Sequence, residues 1–291
     1  MSMPLFKSDF KKRNKIRRTI RNFFLRHPSI NPYANEYGGI HRILTAPLRK
    51  LPDFLIIGAG KCGTSSLYYY MIQHEKILSD RQKELNFFDF NYEKSLNWYK
   101  SQFPLKFHKF HFLTGEATPY YFYHPLVPSR VKKSLPNVKM IILLRNPTDR
   151  AYSHYQHSVK RGYETLSFED AIEKEEERLS SGDFNDLNHG AFSYLSEGLY
   201  FIQLKRWLSF FPLKQFLIIK TEDLLVKRGA TLNKIFNFLE LSSFEIERKT
   251  EMNVGKYKPM KIETRKKLNE YFKPFNEELI EFLGMDFDLG K

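Results

Sequence analysis

The stretch Pro52 to Tyr70, PDFLIIGAGKCGTSSLYYY, constrains the fold more than any other part of the chain. Phe54 to Ile57, after Asp53, form a short apolar run that predicts a buried strand. Gly58 and Gly60 break the run, and Lys61, Gly63, Thr64 and Ser65 follow at once. Leu67, Tyr68, Met71 and Ile72 then recur at helical spacing. Strand, glycine turn and helix start make a phosphate cradle: glycine lets the backbone approach an anion, and the free N–H groups of a helix N-terminus point at it. Lys61 adds a full positive charge, and Thr64 and Ser65 add hydroxyl donors.

From residue 51 onward, strand and helix patterns alternate. Strands are predicted at residues 54–57, 112–115, 138–144 and 216–220, and helices at 65–73, 95–101, 149–160, 167–180, 199–210 and 231–240. A last helix is predicted at 262–271, with a further one at 277–283. This alternation predicts a three-layer α/β fold, a mostly parallel central sheet with helices on both faces and ligands at the strand C-terminal ends. One such domain, residues 51–291, is preceded by a basic arm and linker, residues 1–50.

Charge separates the two parts. Of the net +14, residues 1–50 contribute +10, from 12 Lys and Arg against Asp9 and Glu36, which leaves +4 for the rest. Within residues 5–26, Phe6, Phe10, Ile16, Ile20, Phe23 and Phe24 lie loosely on one helical face among the cations. Such a segment either rests on an anionic membrane surface or another polyanion, or is a solvated arm packing on its own domain. Residues 28–50, with Pro28, Pro32, Gly38, Gly39 and Pro47, read as linker. No apolar run approaches the roughly 20 residues of a membrane span, no signal peptide is apparent, and the single Cys62 excludes an intrachain disulfide. The expected location is cytoplasmic, with peripheral attachment to a membrane left open.

The loop departs from the nucleotide-triphosphate pattern, in which a hydroxyl directly after the lysine holds magnesium. Cys62 takes that place, and no apolar strand downstream ends in an Asp suited to the metal, so a metal-free phosphate site is expected. A second constellation, Val138 to His157, reads VKMIILLRNPTDRAYSHYQH. Its apolar strand delivers Arg145 to the sheet's C-terminal edge; Thr148 is the expected N-cap of the next helix. Ser153 falls in the second turn of that helix, where it can face back toward Arg145, so that a guanidinium fork and a hydroxyl are available to a second phosphate.

Lys-x-Gly-Thr-Ser after the first strand, with Leu-Arg-Asn-Pro and Arg-Ala-Tyr-Ser after a central one, resembles the sulfotransferase family. The donor implied is 3′-phosphoadenosine 5′-phosphosulfate (PAPS). The resemblance assigns the 5′-phosphosulfate to a P-loop-like loop with Lys61, Cys62, Gly63, Thr64 and Ser65, and the 3′-phosphate to Arg145 and Ser153. Lys83 to Asp89, KELNFFD, followed by Asn97-Trp98-Tyr99 and by Gly115 to Tyr120, GEATPY, is similar to the heparan sulfate branch. There the glutamate of Lys-Glu-x-x-Phe-Phe is the general base, which implies Glu84. Lys61 would stabilise the leaving phosphate during in-line displacement, and Lys83, Asn86, Asp89 and His157 are acceptor-side candidates. Gly255, Lys256 and Lys258 match a basic glycine loop that closes over the nucleotide in relatives, with Val254 where some place a lysine. Asn86 stands where some heparan enzymes carry histidine, and Ala117 replaces the lysine of their Glu-Lys-Thr/Ser-Pro. Both departures fall on the acceptor side.

The acceptor implied is a glycan hydroxyl or amine, with a small metabolite or lipid as the alternative. Two other readings stay open: a P-loop-type nucleotide kinase or NTPase, and an anion-binding module whose arm contacts nucleic acid, which is not the expected partner. His154 and His157, about one turn apart, lack a third ligand, and no metal is expected. His108 and His111 read as structural, and Trp207 with its aromatic neighbours as core.

Overall fold

The computed structural model describes residues 39–106, 112–246 and 257–284. The arm segment 5–26 and Gly255 and Lys256 lie outside the described residues. Five strands, β1 (Phe54–Gly58), β2 (Ile77–Ser79), β3 (Leu113–Ala117), β4 (Lys139–Leu144) and β5 (Phe216–Lys220), form one sheet in the order β2-β3-β1-β4-β5. All four pairings are parallel. The α/β expectation is met, and the reason is visible in burial: every residue of β1 is buried, as are Met140 to Leu144 of β4. Strands covered on both faces by helices need continuous apolar runs rather than alternation.

The helices are α1 (Gly39–Leu44), α2 (Thr64–Met71), α3 (Leu96–Ser101), α4 (Val127–Ser134), α5 (Pro147–Lys160), α6 (Phe168–Glu173), α7 (Glu175–Arg178), α8 (Leu187–Phe192), α9 (Tyr200–Leu208), α10 (Thr221–Val226), α11 (Arg228–Phe238) and α12 (Ile262–Leu283). Leu67, Tyr70 and Met71 of α2, Leu204 and Trp207 of α9, and Ile235 and Phe236 of α11 join the strands in the main core. A second cluster, with Ala151, Phe168, Tyr194, Leu268 and Phe272, joins α5, α6 and α12.

The chain departs from the pattern reading in several places, and no predicted helix covers α1, α4, α8 or α10. Three-residue β2, at the sheet edge, is too short to show a period. The helix expected over 167–180 breaks at Lys174, and the break lets the buried Glu175 carboxylate accept from the Leu195 and Ser196 N–H groups at 2.6 and 2.8 Å. The two terminal helices are one, α12, because Leu268, Phe272 and Leu279 are buried on both sides of Pro274; packing overrides the cost of about 3 kcal/mol for an interior proline. The N-cap of α5 is Asn146, whose Oδ1 accepts from the Asp149 N–H at 3.1 Å, and Thr148 instead donates to Asn269 Oδ1 at 2.8 Å. Residues 39–50, read as linker, are docked: Arg42 donates to the Ser101 and Phe103 carbonyls and Arg49 to Phe103, while Lys50 pairs with Asp53 at 2.9 Å.

Candidate active site

β1 is the sheet's central strand, and it ends beside β4: the Ala59 N–H donates to the Leu143 carbonyl at 2.8 Å. The two loops singled out in the sequence therefore leave adjacent strand ends at the point where the strand order diverges, the crevice in which open α/β sheets bind ligands. The loop after β1 has little freedom. A Cβ on Gly58 would lie 2.5 Å from Phe122 Cβ, and one on Gly60 would lie 2.8 Å from Glu197 Oε2. Lys61 and Gly63 both take positive φ, 67° and 87°. Thr221, the first residue of α10, donates to the Cys62 carbonyl at 2.7 Å. Tyr200 Oη lies 3.7 Å from Cys62 Sγ and donates to the Arg145 carbonyl at 3.0 Å, so one side chain ties both loops together. Burial pushes the Cys62 thiol up to about 11, which keeps it protonated and unreactive near neutrality.

The loop hands over to α2 at Gly63, which provides no side-chain cap, and the first turn of α2 carries no acidic residue. The helix start thus keeps the character that suits a bound anion. Beneath the loop lies a buried ion pair. Arg150, fully buried on α5, donates to Glu197 Oε2 at 2.8 Å and to the carbonyls of Ser193 and Tyr194. Burial raises the Glu197 carboxyl while the guanidinium draws it back down.

Arg145 directly follows β4, half-buried, with its charge felt at Cys62 and Glu222. Ser153 lies on α5 next to Tyr152, whose hydroxyl donates to the Lys258 carbonyl at 2.9 Å and whose ring meets Tyr257 edge-on at 5.5 Å. Tyr257 and Lys258 are thereby held against the helix carrying Ser153.

Glu84 comes to the same place from the other side. Lys83 Nζ donates at 2.7 Å to Ser65 Oγ and at 2.7 Å to Glu84 Oε1, bridging helix α2 to the carboxylate. Burial lowers the Lys61 ammonium, as do the charges of Arg150 and Arg161, while Glu84 opposes them. His157 is lowered by burial and by Lys61 and Arg161, again with Glu84 opposing. Lys61, Glu84, His157 and Arg161 therefore share one electrostatic neighbourhood. Arg161 was not singled out in the sequence, although it follows His157 by four residues, a spacing that places both on one helical face. Asn86 and Asp89 face each other instead: Asn86 Nδ2 donates to Asp89 Oδ2 at 3.0 Å, and Asp89 is buried, which pushes its carboxyl up to about 6. His154 is buried against Arg150, 3.4 Å away, and its Nε2 lies 3.0 Å from the Gly190 carbonyl. Among the described residues, no three His, Cys, Asp or Glu side chains group to hold a metal.

A parallel sheet with a lysine-bearing glycine loop at its crevice, and a carboxylate tied by a lysine to the helix that follows, is an arrangement suited to a group-transfer enzyme of the α/β class. The family model for the sulfotransferase domain matches residues 51–284, and the chain belongs to that family. It is 28% identical, over 81% of its length and 66% of the relative's, to the membrane-associated sulfotransferase kil1 of Dictyostelium discoideum. It is 29% identical to the human bifunctional heparan sulfate N-deacetylase/N-sulfotransferase 3 over 80% of this chain and 30% of that one. The chain thus spans only part of both curated relatives. Among solved structures, a sulfotransferase from Alicyclobacillus acidocaldarius superposes with a TM-score of 0.68 at 29% identity, covering 82% of this chain and 98% of that one.

Proposed function

We propose that this sulfotransferase moves a sulfuryl group from PAPS to a hydroxyl or amine of a carbohydrate, with Glu84 as general base. The observation that carries the reading is the Lys83 bridge, which sets the Glu84 carboxylate beside Ser65 at the start of the loop helix. Lys61, Cys62, Gly63, Thr64 and Ser65 would hold the 5′-phosphosulfate, and the uncapped, acid-free first turn of α2 fits such an anion. Arg145, Ser153 and Lys258, with Gly255 and Lys256, would hold the 3′-phosphate side. The donor supplies an activated sulfuryl group, so the protein's work is alignment and charge stabilisation. Glu84 takes the proton of the attacking group, and Lys61 neutralises charge on the departing phosphate oxygen. His157, held toward its neutral form and within the electrostatic reach of Lys61 and Glu84, would serve on the acceptor side. A carbohydrate acceptor is supported by the heparan sulfate relatives.

Thermal unfolding tests the donor half. Adenosine 3′,5′-bisphosphate at a hundred times its Kd should stabilise the protein by about 2.7 kcal/mol without magnesium. Stabilisation by ATP with magnesium alone would instead favour the kinase reading. Product identification by mass, after incubation with labelled donor and a cell extract, tests the acceptor. The basic arm, residues 1–38, with nine Lys and Arg against Asp9 and Glu36, supports a second element of the proposal: attachment to an anionic membrane surface. The membrane-associated relative points the same way. Deleting residues 1–30 should release the protein from anionic liposomes, and unchanged binding would discard the arm as the anchor.

A further inference from the structure

The backbone around Glu84 is held in an uncommon shape. Glu84 and Asn86 both adopt positive φ, 59° and 50°, and neither is glycine. Residues of this kind occupy the left-handed region at a cost and persist only where their surroundings fix them. Glu84 itself is held by a single backbone bond, its N–H donating to the Ala117 carbonyl at 3.2 Å, and its side chain is about half exposed.

What fixes the shape lies directly behind. Three successive N–H groups follow Glu84 and Leu85. The Asn86 N–H reaches Thr118 Oγ1 at 3.5 Å, and the Phe87 and Phe88 N–H groups donate to Tyr121 Oη at 2.8 and 3.2 Å. Both hydroxyls have one proton each, and both give it to the same side chain: Thr118 to Glu116 Oε2 at 3.1 Å and Tyr121 to Glu116 Oε1 at 3.2 Å. Tyr99 Oη also donates to Oε1, at 2.5 Å. Glu116, Thr118, Tyr99 and Tyr121 are all buried to within 1%. The rings reinforce the hydroxyls, for Tyr99 stacks on Phe87 with centroids 4.4 Å apart and Tyr121 meets Phe88 edge-on at 5.6 Å. No charge of Glu116 reaches the solvent, and no cation pairs with it among the described residues.

We propose that Glu116 is a positioning residue for Glu84, which orients the Thr118 and Tyr121 hydroxyls so that they hold the backbone from Asn86 to Phe88. A hydroxyl that accepts backbone N–H groups must send its proton elsewhere, and Glu116 is the shared recipient. A glutamine in its place offers an amide NH2, which donates and cannot accept, at one of the two oxygen positions. Either Tyr121 or Thr118 then loses its acceptor and must turn, releasing the N–H groups it held. The inference rests on the reading of Glu84 as the base.

The test is a double-mutant cycle on the full chain. Glu116→Gln should lower kcat by about tenfold or more, the scale expected of a small misplacement of a catalytic group. Its Kd for adenosine 3′,5′-bisphosphate should stay within about twofold of wild type, since the donor loop is untouched. In the Glu84→Gln background, the same substitution should lower kcat no further, because the group it positions is already gone. An equal further loss in that background, or a weakened nucleotide affinity, would show a general structural role and overturn the proposal. Tyr121→Phe and Thr118→Val, which keep shape and remove one hydroxyl each, serve if Glu116→Gln does not fold. Each should lower kcat by about threefold or more at unchanged nucleotide affinity, and wild-type kcat in both would overturn the proposal. A crippled Glu84→Gln beside a fully active Glu116→Gln defeats this inference alone, whereas a fully active Glu84→Gln defeats the reading on which it stands.

Discussion

Lys83 and Glu84 are neighbours in the sequence, yet their side chains meet the loop helix through one ammonium group that touches both Ser65 and Glu84 at 2.7 Å. At this scale the chemistry is most exposed to test. Glu84→Gln keeps the shape and the backbone contact to Ala117 while removing the basic lone pairs. Turnover should fall at least about a hundredfold with nucleotide binding retained. Near-normal turnover measured at saturating donor would assign the base to another group. The residue types that carry charge or hydroxyls at the loop, Lys61, Thr64, Ser65 and Arg145, were legible because glycine spacing and strand ends announce them. Glu116 was not, although it lies in a motif that the sequence singles out, because a buried carboxyl with three hydroxyl partners leaves no local pattern.

Helix α5 carries both a buried ion-pair partner and polar side chains toward the crevice. Arg150, Ser153, His157 and Arg161 follow one another at intervals of three or four along it and just beyond its end, the spacing of a single helical face. The alternating strands and most helices were legible from periodicity, with ends displaced by a few residues. The failures were β2, too short for a period, α12, where burial on both sides of Pro274 outweighs the local signal, and the helices α1, α4, α8 and α10, which the pattern did not mark. The Arg150–Glu197 pair was hidden too, since its members lie on different elements and meet only in the fold. It gives α5 a second task, because Glu197 closes the space beneath Gly60. Arg150→Met should destabilise the protein by about 3–5 kcal/mol by leaving Glu197 buried and unpaired. Adding Glu197→Leu should restore much of the loss. Urea unfolding of the two variants checks this, and an equal loss in both would locate the cost in packing rather than charge.

At the scale of the whole molecule, a group of buried acids sets the pH response. Burial pushes Glu116 up to about 8, Asp80 up to about 7 and Asp89 up to about 6, with Asp80 and Asp89 also raising Glu116 through their charges. Tyr99, which serves no backbone group in this network, donates to the ionised Glu116; once the carboxyl is protonated that one bond can reverse, with Glu116 donating to Tyr99 Oη while Tyr121 and Thr118 keep donating. In the unfolded chain these groups titrate near about 4, so between that pH and their folded values the native state binds more protons. Their contribution to stability is fully present below about pH 4 and is lost as pH rises through about 6 to 8. Urea midpoints measured from about pH 5.5 to 8.5 should therefore decline, and Glu116→Gln should flatten the upper part of that decline. Parallel slopes in the two proteins would remove Glu116 from the effect.

The central position of β1 carries one more consequence, for how the chain reaches its native state. Within the sheet β1 comes first in chain order, yet its partners are β3 and β4, and Phe54 pairs with Gly115 on one side and Lys139 on the other. Until residue 139 has emerged from a ribosome, the strand that leads into the Lys61 loop has at least one open edge, and before residue 113 it has two. Closing both intervening stretches costs chain entropy before any pairing rewards it. The segment that makes the crevice is thus a late-maturing part of the molecule, and a nascent chain halted between the two partners presents an apolar strand edge that chaperones or other nascent chains can engage.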